Sequence, residues 1–121
     1  MLTETLKSLF IRDLNKLKTE ITAYKAESNI WIVDRNISNS AGNLCLHLIG
    51  NLNTYIGATL GGTNYLRNRP LEFSLKNIPR AQLIQKIDET LTIVTTGWDD
   101  LDKASQKINY LENMWVIGVQ F

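Results

Sequence analysis

The sequence predicts an all-α domain, and three observations support this prediction. Apolar residues recur at steps of three and four over long stretches, which is the period of an amphipathic helix. Capping residues, a Gly-Gly pair and a proline stand where these stretches begin or end. The length of 121 residues suits one domain with its own core and is short for two.

The first helix is predicted from Leu2 to Tyr24, with Thr3 as its N-cap. Residues of high helix propensity fill this stretch. Its apolar stripe consists of Leu2, Leu6, Leu9, Phe10, Leu14, Leu17, Ile21 and Tyr24.

Residues 27–39 break the helical pattern and predict a structured loop that Trp31 anchors in the core. The alternative is an isolated strand at 30–33, although no partner strand is evident. Capping residue types follow, so the next helix is expected to start near Asn39 or Ser40.

The second helix is predicted from about Ser40 to Leu60 and ends at Gly61-Gly62, because glycine is favoured just past a last turn. The stretch Thr63–Lys76 mixes aromatic and charged residues and is predicted to be a loop. The glycine pair gives no indication of phosphate binding, because the residues of a P-loop or a dinucleotide fingerprint are missing.

The third helix opens at Pro79, a residue tolerated in a first turn, and continues to Val94 until Gly97 stops or kinks it. Beyond it, Asp99–Ala104 is a candidate short helix and Trp115–Val119 looks extended. Asp99, Asp100 and Asp102 lack the spacing of a calcium loop and indicate a solvated acidic turn.

The apolar end of the chain, Trp115 to Phe121, is unusual because natural termini are mostly polar. We therefore expect that a last long helix belongs to this domain but is missing from this chain, or that a neighbouring chain replaces it.

Composition excludes several function classes. A formal net charge of +1 gives no sign of a nucleic-acid or anionic-membrane partner. Charges at Glu4, Lys7, Arg12 and Asp13 interrupt any apolar signal-peptide core near the N-terminus, and no stretch approaches the roughly 18 apolar residues of a membrane span. The single cysteine, Cys45, rules out an internal disulfide and suits a reducing compartment. We expect a cytoplasmic protein.

His47, the single histidine, lies on the flank of the second helix that also carries Leu44, Asn51 and Tyr55. It is a candidate metal ligand or base, with Asn51 and Tyr55 as candidates to orient it or to line a pocket mouth. The alternative is a flank histidine that bonds to Asn51, Tyr55 or the backbone. Cys45 diverges from His47 by about 200° around the helix and is expected in the core.

Arg67 and Arg69 with Glu72 allow two interpretations. They could bind an acidic group of a substrate. The favoured interpretation is a local set of ion pairs that fixes the loop, with Tyr65 and Phe73 packed beneath it.

The block from residue 43 to 73 resembles the DinB/YfiT-like superfamily, and small uncharacterised DinB-like proteins of bacteria in particular. The matching residues begin with Ser38, Asn39 and Ser40 just before this block and continue with Leu44, His47, Gly50, Asn51, Leu52, Tyr55, Ile56, Gly57, Gly61, Gly62, Tyr65, Leu66, Arg67, Asn68, Arg69, Glu72 and Phe73. The resemblance extends from the first helix to the end of the third, but the rest is ordinary helical patterning.

The resemblance implies an up-down-down-up four-helix bundle, often dimeric, in which three histidines hold a divalent metal such as zinc or nickel. His47 matches the ligand on the second helix. The other two, a His-x-x-x-His pair on the last long helix, have no counterpart here, so this chain alone is not expected to bind metal tightly. Complete members include hydrolase-like enzymes and thiol S-transferases acting on small molecules. The competing hypothesis is a non-catalytic bundle that works through self-association or partner binding.

Overall fold

The computed structural model describes residues 2–33, 35–36 and 38–98, and every regular element in that part of the chain is helical. The all-α prediction is confirmed at this level. The candidate helix Asp99–Ala104 and the extended stretch Trp115–Val119 lie outside the described residues.

Helix α1 spans Leu2–Ala23, one residue short of the predicted end. Because it begins at Leu2, Thr3 lies inside its first turn and does not precede it as an N-cap. On its polar side, Arg12 pairs with Asp13, and Lys18 reaches Asp88 of the last helix at 2.8 Å. The polar side of α1 thus carries ion pairs, one of them to the last helix.

A 3₁₀ helix, Glu27–Trp31, follows α1 where a loop or an isolated strand was considered. Its Ile30 and Trp31 are buried, which confirms the predicted anchor. The Trp31 ring lies against Gly42, where an added Cβ would come within 2.7 Å of the indole. The described residues contain no strand at 30–33.

Helix α2 spans Ala41–Leu52, and the Ser40 side chain caps it by accepting a hydrogen bond from the Asn43 amide. The helical path continues as a π-helix, Asn53–Ala58, and a closing turn α3, Thr59–Gly61. Gly62 then adopts the left-handed conformation with φ of 72°. The predicted bounds are therefore confirmed, whereas the π-helix was not predicted.

Helix α4 spans Arg69–Ser74, inside the stretch predicted to be a loop. That prediction was wrong because Asn68 caps the helix through the Leu71 amide and Pro70 occupies its first turn, a position that tolerates a residue without N–H. This short helix brings Glu72 into the interior of the protein.

Helix α5 spans Arg80–Trp98, so it begins one residue after Pro79, where its start was predicted. It passes through Gly97, which does not stop it. A Cβ on Gly97 would lie 3.0 Å from the Ile56 side chain, so glycine allows close packing of α5 on the π-helix.

Two apolar clusters form the core and show the helix directions. One joins Leu6, Phe10 and Leu14 of α1 to Leu48, Leu52, Ile56 and Val94. The other joins the end of α1, the 3₁₀ helix, the start of α2 and the start of α5. Helix α1 is therefore antiparallel to α2 and α5, which run parallel to each other.

Candidate functional site

A partly buried polar cluster lies where α2 meets α4, and we call His47, Asn51, Arg67 and Glu72 the His47 centre. His47 and Asn51 share one face of α2, because they are one turn apart. Glu72 enters from α4, and Arg67 from the segment preceding α4. The site thus combines an imidazole and an amide from one helix with an ion pair from the next connection.

The Glu72 carboxylate is the hub of the His47 centre. Arg67 Nε donates to Glu72 Oε2 at 2.8 Å and Arg67 Nη2 donates to Oε1 at 2.9 Å, so the pair is bidentate. His47 Nδ1 lies 3.1 Å from the same Oε1. The carboxylate side chain is only 7% exposed, whereas that of His47 is 27% exposed. The imidazole is therefore the more solvent-accessible partner of a nearly buried carboxylate.

The second ring nitrogen of His47 faces Asn51. The Asn51 Nδ2 atom lies 3.3 Å from His47 Nε2, beyond the usual range of a strong N–H donor contact. The Phe73 ring packs on the imidazole at a centroid distance of 5.0 Å. Three side chains thus restrain both nitrogens and one face of the ring.

The ion pair also changes the electrostatics of its neighbours. The hydrogen bond to Glu72 raises the pKa of Arg67, whereas burial lowers it. The negative charge of Glu72 and the nearby Tyr55 and Tyr65 raise this pKa further. Burial raises the pKa of the Tyr65 phenol, and Glu72 adds to this effect while Arg67 opposes it. Arg67 therefore stays protonated.

Buried Asn43 fixes the backbone of α4 beneath the site. Its Nδ2 atom donates to the carbonyl oxygens of Glu72 and Leu75, both at 2.9 Å. Its Oδ1 accepts from Ser40 and Lys76 at 2.6 Å. Because Asn43 belongs to the first turn of α2, this network sets the position of α4, and hence of Glu72, relative to His47.

The predicted site residues are distributed unequally. His47 and Asn51 lie in the cluster, in contact with each other. Tyr55 lies in the π-helix, where it packs against the first apolar cluster. Arg67 and Glu72 form the predicted ion pair. Arg69 is not part of it, because its guanidinium lies over the Phe73 ring at 5.6 Å from the centroid.

Sequence reasoning missed the contact between Glu72 and His47. Two signals could have revealed it. Asn68 and Pro70 mark a helix start just before Glu72, and Gly50 leaves a gap on α2 one turn beyond His47. A Cβ at Gly50 would overlap the Glu72 carboxylate.

A groove of about 490 Å³ runs between α1 and α2, and His47 forms part of its wall. Its apolar lining includes Leu17, Ile21, Tyr24, Leu44 and Leu48, and its rim carries Arg12, Asp13, Lys16 and Glu20. Asn51 and Tyr55 are not among the lining residues. A ligand in this groove would approach the imidazole from the α1 side.

Cys45 is buried in the second apolar cluster, as predicted. Burial raises the pKa of its thiol from 9.0 to about 12, so the thiolate needed for nucleophilic attack or metal binding is disfavoured. Among the described residues, no three His, Cys, Asp or Glu side chains converge to hold a metal ion.

No protein-family model, curated protein or solved structure matches this chain. In the described part of the chain, no helix has the length and apolar character that a membrane crossing requires.

Proposed function

We propose that the chain is a DinB-like helical bundle protein whose His47 is one ligand of a divalent metal, zinc or nickel, in a hydrolase or thiol S-transferase type of enzyme. The supporting observation is the orientation of the imidazole by a buried carboxylate. Histidine ligands in proteins commonly donate their second ring N–H to such a carboxylate, which fixes the ring and raises its basicity.

The fit of a metal to the described residues is limited to this single ligand. His47 Nδ1 is engaged by Glu72, so Nε2 is the nitrogen that would coordinate, in place of its long contact with Asn51. Further ligands would have to come from outside the described residues. When bound, a divalent metal lowers the pKa of a coordinated water or thiol and so supplies a nucleophile.

The described residues contribute orientation and access. Glu72 and Phe73 restrain the ring, and Arg67 keeps the carboxylate in place. The groove between α1 and α2 offers an apolar space for a small-molecule substrate beside His47, within the usual size of ligand pockets. The antiparallel arrangement of α1 with α2 and α5 is compatible with an up-down-down-up bundle.

Zinc titration tests the ligand role. In the wild-type protein we expect zinc to bind weakly and to perturb the His47 ring. The NMR signals of the ring in histidine-labelled protein monitor this binding. His47→Ala should abolish this binding as measured by calorimetry, whereas Cys45→Ala, which removes a buried sulfur, should leave it unchanged. An unperturbed His47 ring at millimolar zinc, or equal binding by His47→Ala, would refute the ligand role.

The second candidate is a non-catalytic bundle that acts through self-association as a homodimer. It is favoured by the same groove, because Leu44 on its edge is 46% exposed beside several apolar side chains. A helix from a second copy could bury this surface.

Analytical ultracentrifugation over a range of protein concentrations tests this candidate. Leu44→Glu should dissociate a dimer that uses the groove. Leu66→Glu is the control, because Leu66 is 92% exposed and does not line the groove. A monomeric wild type, or a dimer that both variants retain, would exclude the groove as the interface.

A further inference from the structure

We propose that Glu72 is a positioning residue that fixes neutral His47 in the form protonated at Nδ1, leaving the lone pair on Nε2. The functional meaning of this form rests on the proposed function, but the arrangement itself does not. The proposal assigns Arg67 the task of holding the carboxylate, and it names Nε2 as the working nitrogen of the ring.

The proton on Nδ1 follows from the hydrogen bonds of Glu72. Arg67 donates to both carboxylate oxygens, so the group it binds is an ionised carboxylate, which can only accept hydrogen bonds. The contact of 3.1 Å between Glu72 Oε1 and His47 Nδ1 therefore requires the proton on the imidazole nitrogen.

A second contact of Nδ1 competes with this assignment and needs a separate explanation. Arg67 Nη2 lies 3.3 Å from His47 Nδ1, but a guanidinium is always a donor. With a proton on Nδ1, both groups donate to Glu72 Oε1 and not to each other. Their proximity results from sharing this oxygen.

On the other side of the ring, Nε2 accepts a hydrogen bond from Asn51, while Nδ1 donates one to Glu72. The Asn51 amide presents Nδ2 to His47 Nε2, so Nε2 accepts when Nδ1 carries the single proton. A doubly protonated ring would set two N–H groups against each other at this contact. The long 3.3 Å separation leaves Nε2 weakly engaged and free to exchange Asn51 for another partner.

Two residues of α2, Asn43 and Gly50, hold Glu72 in place independently of His47. Asn43 bonds to the backbone of α4 at Glu72 and Leu75, and Gly50 provides the space that the carboxylate fills. The carboxylate is thus held by contacts that do not involve the imidazole, as a positioning role demands.

The experiment uses the fact that His47 is the single histidine of the chain. Protein labelled with ¹⁵N-histidine gives one imidazole, whose protonated nitrogen is identified from long-range ¹H–¹⁵N spectra at a pH where the ring is neutral. We expect wild-type protein to show the Nδ1–H form as the major species.

The decisive variant is the double substitution Arg67→Met/Glu72→Met, which removes the ion pair without leaving one buried charge unpaired. It should shift the ring toward the Nε2–H form that free neutral histidine prefers, while the backbone spectrum shows a folded protein. Glu89→Gln, which changes an exposed carboxylate on α5, is the matched control and should leave the ring unchanged.

Asn51→Ala provides a second test should the double variant fail to fold. It removes the partner of Nε2 and should leave the Nδ1–H form in place. A wild-type ring in the Nε2–H form, a folded double variant with no shift, or a change of form in Asn51→Ala would each overturn the proposal. If zinc did not perturb the His47 ring but the ring showed the expected protonated forms, the proposed function would be refuted and the role of Glu72 would stand.

Discussion

The side chain of Glu72 occupies a space that only a glycine at position 50 leaves open. Its carboxylate lies beside the α2 backbone and is almost fully buried. Burying an ion pair costs desolvation energy that the attraction between its members does not always repay. The Arg67–Glu72 pair is therefore better explained by its effect on His47 than by a gain in stability.

Gly50→Ala should destabilise the protein by about 2 kcal/mol, because the added methyl group displaces the carboxylate from Arg67 and His47. The sign of this change in unfolding free energy is informative, since a Gly→Ala substitution in a helix interior ordinarily stabilises a protein by about 0.5–1 kcal/mol. Urea unfolding measures it. Gly61→Ala is the control, because its Cβ would meet neighbours at 3.4 and 3.5 Å, and a loss as large there would contradict the steric explanation.

At the residue scale, the sequence indicated His47, Asn51 and the Arg67–Glu72 pair separately. That these residues come together in one site could not be predicted, because it depends on where α4 lies relative to α2. Asn43 sets that relation through hydrogen bonds to residues 29 and 32 positions away. Such long-range contacts leave no periodic signal in the sequence.

At the element scale, the periodic patterns predicted the long helices well, because their apolar stripes face a common core. Helix α4 was missed because six residues are too few to show a helical period, although Asn68 and Pro70 carried a start signal. The π-helix was missed because its extra residue produces no distinctive residue type. There, the Thr59 hydroxyl donates to the Thr54 carbonyl five residues earlier.

Asn68→Ala should destabilise the protein by about 0.5–1 kcal/mol, since it removes the cap of α4. The low end is expected because the capping contact is long, at 3.4 Å. Hydrogen exchange of α4 amides should accelerate in parallel. Asn64→Ala, in exposed coil just before α4, is the control, and equal effects of the two variants would argue against the cap.

At the scale of the whole molecule, the two apolar clusters join α1, α2 and α5 along their lengths, while the groove separates α1 from α2 beside His47. The same space serves the enzyme and the self-association proposals. Its apolar lining was predictable from the helical stripes, but its position next to the imidazole was not.

The buried thiol of Cys45 should make the stability of the whole protein fall at alkaline pH. The unfolded thiol ionises near pH 9, whereas in the folded protein its pKa is about 12. Between these values the unfolded state binds fewer protons, so stability is lost as pH rises through this window. By pH 10 the loss from this group should reach about 1.4 kcal/mol.

Denaturant unfolding of the wild type and Cys45→Ala at pH 7 to 10 isolates this contribution. The wild type should lose more stability than the variant above pH 9, since the variant has no thiol to ionise. Parallel curves for the two proteins would show that Cys45 ionises equally well when folded.

A double-mutant cycle between His47 and Glu72 tests most directly whether the His47 centre acts as one unit. The free energy of unfolding is measured for the wild type, His47→Ala, Glu72→Met and the combination. We predict a coupling energy of about 1 kcal/mol, because the shared hydrogen bond is lost once in either single variant. Single effects that add to within about 0.5 kcal/mol would show that the imidazole and the carboxylate are neighbours without being partners.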